Sequence, residues 1–145
     1  MRRLDDTTLV APSQIFPADI PALAAQRIRL IVNNRPDGEE LGQPSSAEIE
    51  AAARAAGLDY RHIPIAGGFP AAQVEAMAEA LGQGPVLAFC RSGTRSTYLW
   101  ALARSSRGGD AETLLRRAAE AGYDLGPLLP YLSRQAIPRE SGGPA

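Results

Sequence analysis

The sequence predicts an α/β sandwich with a largely parallel central sheet. Three observations carry this. Short apolar or β-branched runs alternate with helix-period segments. One run, "PVLAF" at residues 85–89, is apolar without a break, which suits a central strand covered on both faces. A length of 145 residues suits a single domain with one core.

The elements follow in order. "TTLVAPSQI", residues 7–15, reads as a first strand through its β-branched residues. "PADIPALAAQ" reads as a short helix with prolines near its start. "RIRLIVN", residues 27–33, is a second strand, and "NRPDGEE" leaves it as a polar turn. In "SSAEIEAAARAAG", Ser45 and Glu48 have capping-box spacing and Gly57 suits the C-terminal stop. "LDYRHIPI", residues 58–65, is the next strand, and "AGGF" is a loop that Pro70 ends by opening a helix. In that helix Val74, Met77, Ala78 and Leu81 make one apolar stripe, which Gly82 terminates. "PVLAF" leads into a polar loop and a helix from about Ser96 to Arg104. A last helix follows Asp110 as N-cap, with Leu114, Leu115 and Ala118 inward. "GPLLPYL" gives a short turn. One domain over residues 1–133 and a flexible tail over 134–145 are expected.

Composition narrows the function. The net charge is −1, so no long-range field draws nucleic acid or an anionic membrane. "MRRLDDTTLV" has no apolar signal-peptide core, and no stretch approaches the ~20 apolar residues of a membrane span. One cysteine forms no internal disulfide, so a cytoplasmic location is expected. The single histidine, His62, builds no metal site with one cysteine, and neither a metal nor a cofactor is called for.

Chemistry concentrates in "AFCRSGTRSTYLW", residues 88–100. A predicted strand delivers Cys90 to its carboxyl end, where ligands bind in open α/β sheets. The backbone N–H groups of residues 91 to 96 can converge on one point, and the helix N-terminus adds partial positive charge. Gly93 permits a tight or left-handed conformation. Arg95, and with less reason Arg91, would add full charge, while Ser92, Thr94 and Ser96 complete an anion-binding loop. Ser96 could equally cap the helix. A thiol among such donors ionises more readily than a free one, and its thiolate is a nucleophile. A lone cysteine after an apolar run is otherwise a small buried hydrophobe.

The loop resembles those of protein tyrosine phosphatases and rhodanese-type sulfurtransferases. From about Thr7 to Leu132 the chain further resembles the bacterial phosphatase-like domain found alone or fused to beta-lactamase hydrolase-like proteins and sulfide:quinone oxidoreductases. The matching pieces are "IVNNRPDGEE", "GLDYRHIPIAGG", "GPVLAFCRSGTRSTYLWALAR" and "AAEAGYDLGPL". The resemblance implies a three-layer, dual-specificity-phosphatase-like fold and a link to sulfide and persulfide metabolism, with a sulfide-oxidising enzyme as a partner.

The motif departs from the phosphatase pattern. Phosphatases place five residues between cysteine and arginine, whereas four separate Cys90 from Arg95. The shorter ring should crowd a phosphoryl group. The loop after "YRHIPI" carries no carboxylate to protonate a leaving group. Asp37, Glu39 and Glu40 are the nearest alternatives by topology, and turn or helix-start roles suit them better. Sulfur transfer asks for less, because sulfite or a thiolate leaves without strong acid help.

The first expectation is therefore a rhodanese-like sulfurtransferase that takes sulfane sulfur from thiosulfate or a glutathione persulfide onto Cys90, with Arg95 holding the anion. The second is a phosphatase acting on phosphoesters through the same two residues. The third is a non-catalytic module that binds an anion or a protein. Arg35 and Asp37 could line the rim of the site, although a mutual or Glu39 ion pair accounts for Arg35 as well. Structural roles are expected for His62, Tyr98 and Trp100.

Overall fold

The computed structural model describes residues 1–132; the tail expected over 134–145 lies outside the described residues. Five strands form one sheet: β1 (Arg2–Asp5), β2 (Thr8–Val10), β3 (Leu30–Asn33), β4 (Asp59–His62) and β5 (Val86–Phe89). Their order is β1-β2-β5-β3-β4. β1 runs antiparallel to β2, and the β2–β5, β5–β3 and β3–β4 pairs are all parallel. The helices are α1 (Ile20–Ala24), α2 (Ser46–Ala55), α3 (Ala71–Leu81), α4 (Thr94–Ser106) and α5 (Ala111–Glu120).

Side-chain alternation along the strands divides the interior into two cores. Leu30, Val32, Val86 and Ala88 face the layer that contains Met77, Leu81, Leu99 and Leu114, on α3, α4 and α5. Ile31, Leu87 and Phe89 face the layer that contains Ile20, Leu23, Ile49 and Ala53, on α1 and α2. The result is an α/β sandwich of three layers, and every residue of β5 is buried because both of its faces are covered.

Local signals in the sequence are realised in the backbone. The Ser45 hydroxyl accepts from the Glu48 amide at 3.1 Å, and the Glu48 carboxylate accepts from the Ser45 amide at 3.0 Å. Asp110 accepts from the Thr113 amide at 3.0 Å and opens α5. Met77, Ala78 and Leu81 are buried, with Val74 partly buried beside them.

Several boundaries differ from expectation: the strand expected over 7–15 spans only Thr8–Val10, and the helix expected from about Ser96 begins at Thr94. Residues 2–5 form an edge strand that the sequence hides, since Arg2 and Arg3 are exposed and only Leu4 enters the core. The run from residue 27 becomes a strand only at Leu30, because Arg27 takes a left-handed φ of 67° as the chain turns out of α1. β4 ends at His62, before Pro64 removes a donor from the ladder. Pro70 caps α3 rather than lying in its first turn. Among the described residues no helix is long and apolar enough to cross a membrane.

Candidate active site

Three parallel strands deliver their carboxyl ends to one edge of the sheet, and the loops after β5, β3 and β4 meet there. Asn34, with no exposed surface, ties them together. Its amide donates to the Phe89 carbonyl at 2.8 Å, its side-chain Nδ2 donates to the Ile63 carbonyl at 2.9 Å, and its Oδ1 accepts from the Ser96 hydroxyl at 2.8 Å. A buried asparagine bonded through its backbone N–H and through both side-chain atoms fixes the spacing of its neighbours, since an unpaired group there would be costly.

Cys90 follows β5 directly and is a free thiol, only 1% exposed. The Gly93 N–H donates to its Sγ at 3.2 Å. Gly93 is the N-cap of α4 and has a φ of 92°, a left-handed conformation that side chains resist. A methyl group there would also collide with the Tyr123 hydroxyl and come within 2.9 Å of the Ala11 carbonyl. The sulfur therefore sits at the foot of a tight turn, beside the amino end of a long helix.

Arg95 occupies the first turn of α4. Its Nη1 donates to Glu39 Oε2 at 2.8 Å and to the Ile65 carbonyl at 2.9 Å, and its Nη2 donates to Glu39 Oε1 at 2.9 Å. Of the five guanidinium donors this leaves the Nε–H and one Nη2–H. The guanidinium also engages the Cys90 side chain. Its pKa is raised, first by the Glu39 hydrogen bonds, with burial opposing and the charge of Cys90 adding to the rise.

Glu39 is the carboxylate at the centre of this edge. Besides Arg95 it accepts from Arg35 Nε at 2.8 Å. Hydrogen bonds from Arg95, resisted by burial and reinforced by Arg35, hold its carboxyl down at about 2. Neighbouring Glu40 pairs with Arg35 Nη2 at 3.1 Å and with Arg91 Nε at 2.7 Å.

The remaining candidates are distributed unequally. Arg91 has a side chain 71% exposed and is engaged by Glu40 rather than by the sulfur. Ser92 and Thr94 are exposed, with hydroxyls 3.3 Å apart. Ser96 neither caps α4 nor faces solvent, being buried against Asn34. Arg35 and Asp37 are both engaged by neighbouring residues. Arg35 is 2% exposed beneath Glu39 and Glu40, with Nη1 on Gln14, and Asp37 Oδ1 accepts from the Ser46 amide at 2.7 Å at the start of α2. His62 bonds the Arg35 carbonyl through Nε2 at 2.8 Å. Trp100 donates to Asp5, and Tyr98 to the Asp124 carbonyl.

Sequence reasoning did not single out Asn34 or Tyr123, whose hydroxyl donates to the Ser92 carbonyl at 2.9 Å. Glu39 is expected from the sequence as a turn or helix-start residue, an alternative acid or a partner for Arg35, not as the partner of Arg95. The one signal available was the density of Asn, Arg and Glu directly after β3. Among the described residues no cluster of three or more His, Cys, Asp or Glu could hold a metal ion.

Fold and loop together define a cysteine-type, phosphatase-like α/β domain. The family model described as "Beta-lactamase hydrolase-like protein, phosphatase-like domain" matches residues 1–107, and the chain belongs to that family. A beta-lactamase hydrolase-like protein of Agrobacterium fabrum is 38% identical over 140 residues, covering 92% of this chain and 32% of that protein. The chain thus spans about a third of that curated relative's length. A candidate phosphatase from Neisseria meningitidis Z2491 has a solved structure that superposes with a TM-score of 0.79 at 34% identity, covering 92% of this chain and 96% of that one. Human DUSP28 shares the fold, with a TM-score of 0.68 at 15% identity and coverage of 98% and 99%. These comparisons point toward the phosphatase expectation and lend none of their weight to sulfur transfer.

Proposed function

We propose that this domain is a cysteine-dependent phosphatase acting on phosphomonoesters with good leaving groups. The observation that carries the reading is the Gly93 N–H aimed at Cys90 Sγ, 3.2 Å away, at the start of α4 and beside Arg95. An amide donor, a helix terminus and a guanidinium all favour a negatively charged sulfur. The Cys90 thiolate attacks phosphorus. The S–P bond forms as the ester P–O bond breaks, and the electron pair departs on the ester oxygen, which takes a proton from water. Water then attacks the phosphocysteine, releasing inorganic phosphate and restoring the thiolate. The Nε–H and Nη2–H of Arg95 that face neither Glu39 nor Ile65 turn from the sulfur to two phosphoryl oxygens when substrate binds. Glu39, gripping the opposite side of the fork, orients the guanidinium plane.

One observation favours sulfur transfer as a second reading. Glu39 is held ionised down to about 2, and residues 66–69 carry no carboxylate, so neither Glu39 nor the loop after β4 supplies an acid for an alkoxide. Sulfite needs no such help. In that scheme the thiolate attacks the sulfane sulfur of thiosulfate, the S–S bond breaks, sulfite leaves with the pair, and an acceptor thiolate removes the sulfur from Cys90. A sulfide-oxidising enzyme would then be the natural partner.

Two assays on one sample decide. Turnover of p-nitrophenyl phosphate by the wild type and its loss in Cys90→Ser support the phosphatase. Addition of one sulfur on incubation with thiosulfate, read by intact mass and absent in Cys90→Ser, with no phosphate release, replaces it with the second reading.

A further inference from the structure

Tyr123 lies between α5 and the 3-10 turn of residues 126–128, beyond the residues 1–107 that the family model matches. Its hydroxyl donates to the Ser92 carbonyl at 2.9 Å. The nitrogen of that same peptide unit belongs to Gly93, whose N–H points at Cys90 Sγ, 3.2 Å away. A trans peptide is a rigid plane with its C=O and N–H on opposite sides. Fixing the oxygen on one side therefore fixes the hydrogen on the other. We propose that Tyr123 is a positioning residue for Cys90, holding the Ser92–Gly93 peptide so that its N–H faces the sulfur.

The plane needs holding because Gly93 is at φ 92°. Glycine populates both signs of φ about equally, so a peptide beside it can rotate at little intrinsic cost. Tyr123 removes that freedom twice over. Its hydroxyl bonds the carbonyl, and it fills the space a Cβ on Gly93 would need. The ring is itself held, with the Arg2 guanidinium 5.3 Å from its centroid while Arg2 Nη1 donates to the Ala121 carbonyl at 3.2 Å. Burial raises the phenol above its usual range, Arg2 opposes, and the charge of Cys90 adds to the rise. Tyr123 thus stays protonated and remains a donor, within electrostatic reach of the thiol.

The inference rests on the reading of Cys90 as a nucleophile, and the test separates the two. The rate of Cys90 alkylation by iodoacetamide is measured against pH by intact mass, for the wild type, Tyr123→Phe and Tyr98→Phe. Tyr98 is the comparison, since it also donates a phenol to a backbone carbonyl, that of Asp124 next to Tyr123, without touching the Ser92–Gly93 peptide. Tyr123→Phe is expected to slow alkylation at neutral pH by about threefold to tenfold and to move the rate profile to higher pH, the scale of one hydrogen bond. Tyr98→Phe should move the profile less than Tyr123→Phe. Replacing Tyr123 by 3-fluorotyrosine, a stronger donor of nearly the same size, should move the profile the other way and guards against a Phe variant that melts. Superposed profiles for the wild type and both Tyr123 variants overturn the positioning role. A wild-type rate no faster than that of the denatured chain overturns the nucleophile reading, and the inference with it.

Discussion

Glu39 and Arg95 meet as two planar forks, with contacts of 2.8 and 2.9 Å between the two carboxylate oxygens and the two terminal guanidinium nitrogens. This pair joins the loop after β3 to the first turn of α4. It also makes stability depend on acid. Glu39 falls from an ordinary 4.5 to about 2 in the folded state, chiefly through the Arg95 hydrogen bonds. A group whose folded pKa is depressed contributes stability that is complete above its unfolded value and is lost as pH falls through the folded one. Chemical denaturation from pH 7 down to 2 should show wild-type stability declining below about 4.5. Glu39→Gln should be less stable at neutral pH, and its deficit should shrink as the acid is approached. A deficit that stays constant with pH would sink this account.

Asp37 is tied to the start of α2. Its carboxylate caps the Ser46 amide at 2.7 Å, a role usually worth about 1 kcal/mol. Asp37→Ala should therefore lower the free energy of unfolding by about that amount. The pH dependence of p-nitrophenyl phosphate turnover should keep its shape, and a lost acid limb would instead assign Asp37 as a general acid.

The contrast between these carboxylates explains what the sequence disclosed. The sandwich, the capping box at Ser45 and Glu48 and the left-handed turn at Gly93 are written in neighbouring residues, where periodicity and backbone restriction act within a few positions. The contacts around the sulfur are not local. Ser96 reaches Asn34 across 62 positions, Arg95 reaches Glu39 across 56 and Tyr123 reaches Ser92 across 31. The register of the parallel strands brings the first two together, and the packing of the chain after α5 brings the third. β1 escaped for a different reason, since an edge strand can keep its arginines in solvent and bury a single leucine.

Gly93 is the position where side chains are least tolerated. Gly93→Ala sets a left-handed φ of 92° against a methyl that collides with Tyr123 and the Ala11 carbonyl. The expected loss is at least about 1–3 kcal/mol from backbone strain alone, with Cys90 alkylation slowed because the turn must shift. Denaturant titration and alkylation on the same sample check both. Wild-type values in the two measurements would show that the turn has room.

The N-terminal hairpin is pinned to α4 through Asp5. Its Oδ2 accepts from Trp100 Nε1 at 2.7 Å and from Arg104 Nε at 3.0 Å. Burial works against the Asp5 charge, yet bonds from Trp100, Thr7 and Thr8 with the charge of Arg104 bring its carboxyl below the usual range. Asp5→Ala strands the Trp100 N–H, a loss of about 1–3 kcal/mol. Hydrogen exchange should then accelerate in β1 and β2 before it does in β5. Uniform acceleration across the sheet would argue that Asp5 is no anchor.

An ionised Glu39 and a loop after β4 without a carboxylate predict how rate follows the leaving group. General acid help contributes about 10²–10⁴ in rate where a leaving oxygen departs as a poor anion. Glu39 cannot give it, being ionised down to about 2, and residues 66–69 hold Ala, Gly, Gly and Phe. Charge must then develop fully on the leaving oxygen, so the rate should fall steeply along a series of aryl phosphates of rising phenol pKa. Alkyl phosphates should turn over far more slowly than p-nitrophenyl phosphate at equal concentration. Introducing a carboxylate by Gly68→Asp should flatten the series, raising the slow substrates most. The measurement is kcat/KM for each ester with the wild type and Gly68→Asp. A flat series in the wild type would mean that a proton donor reaches the leaving group after all.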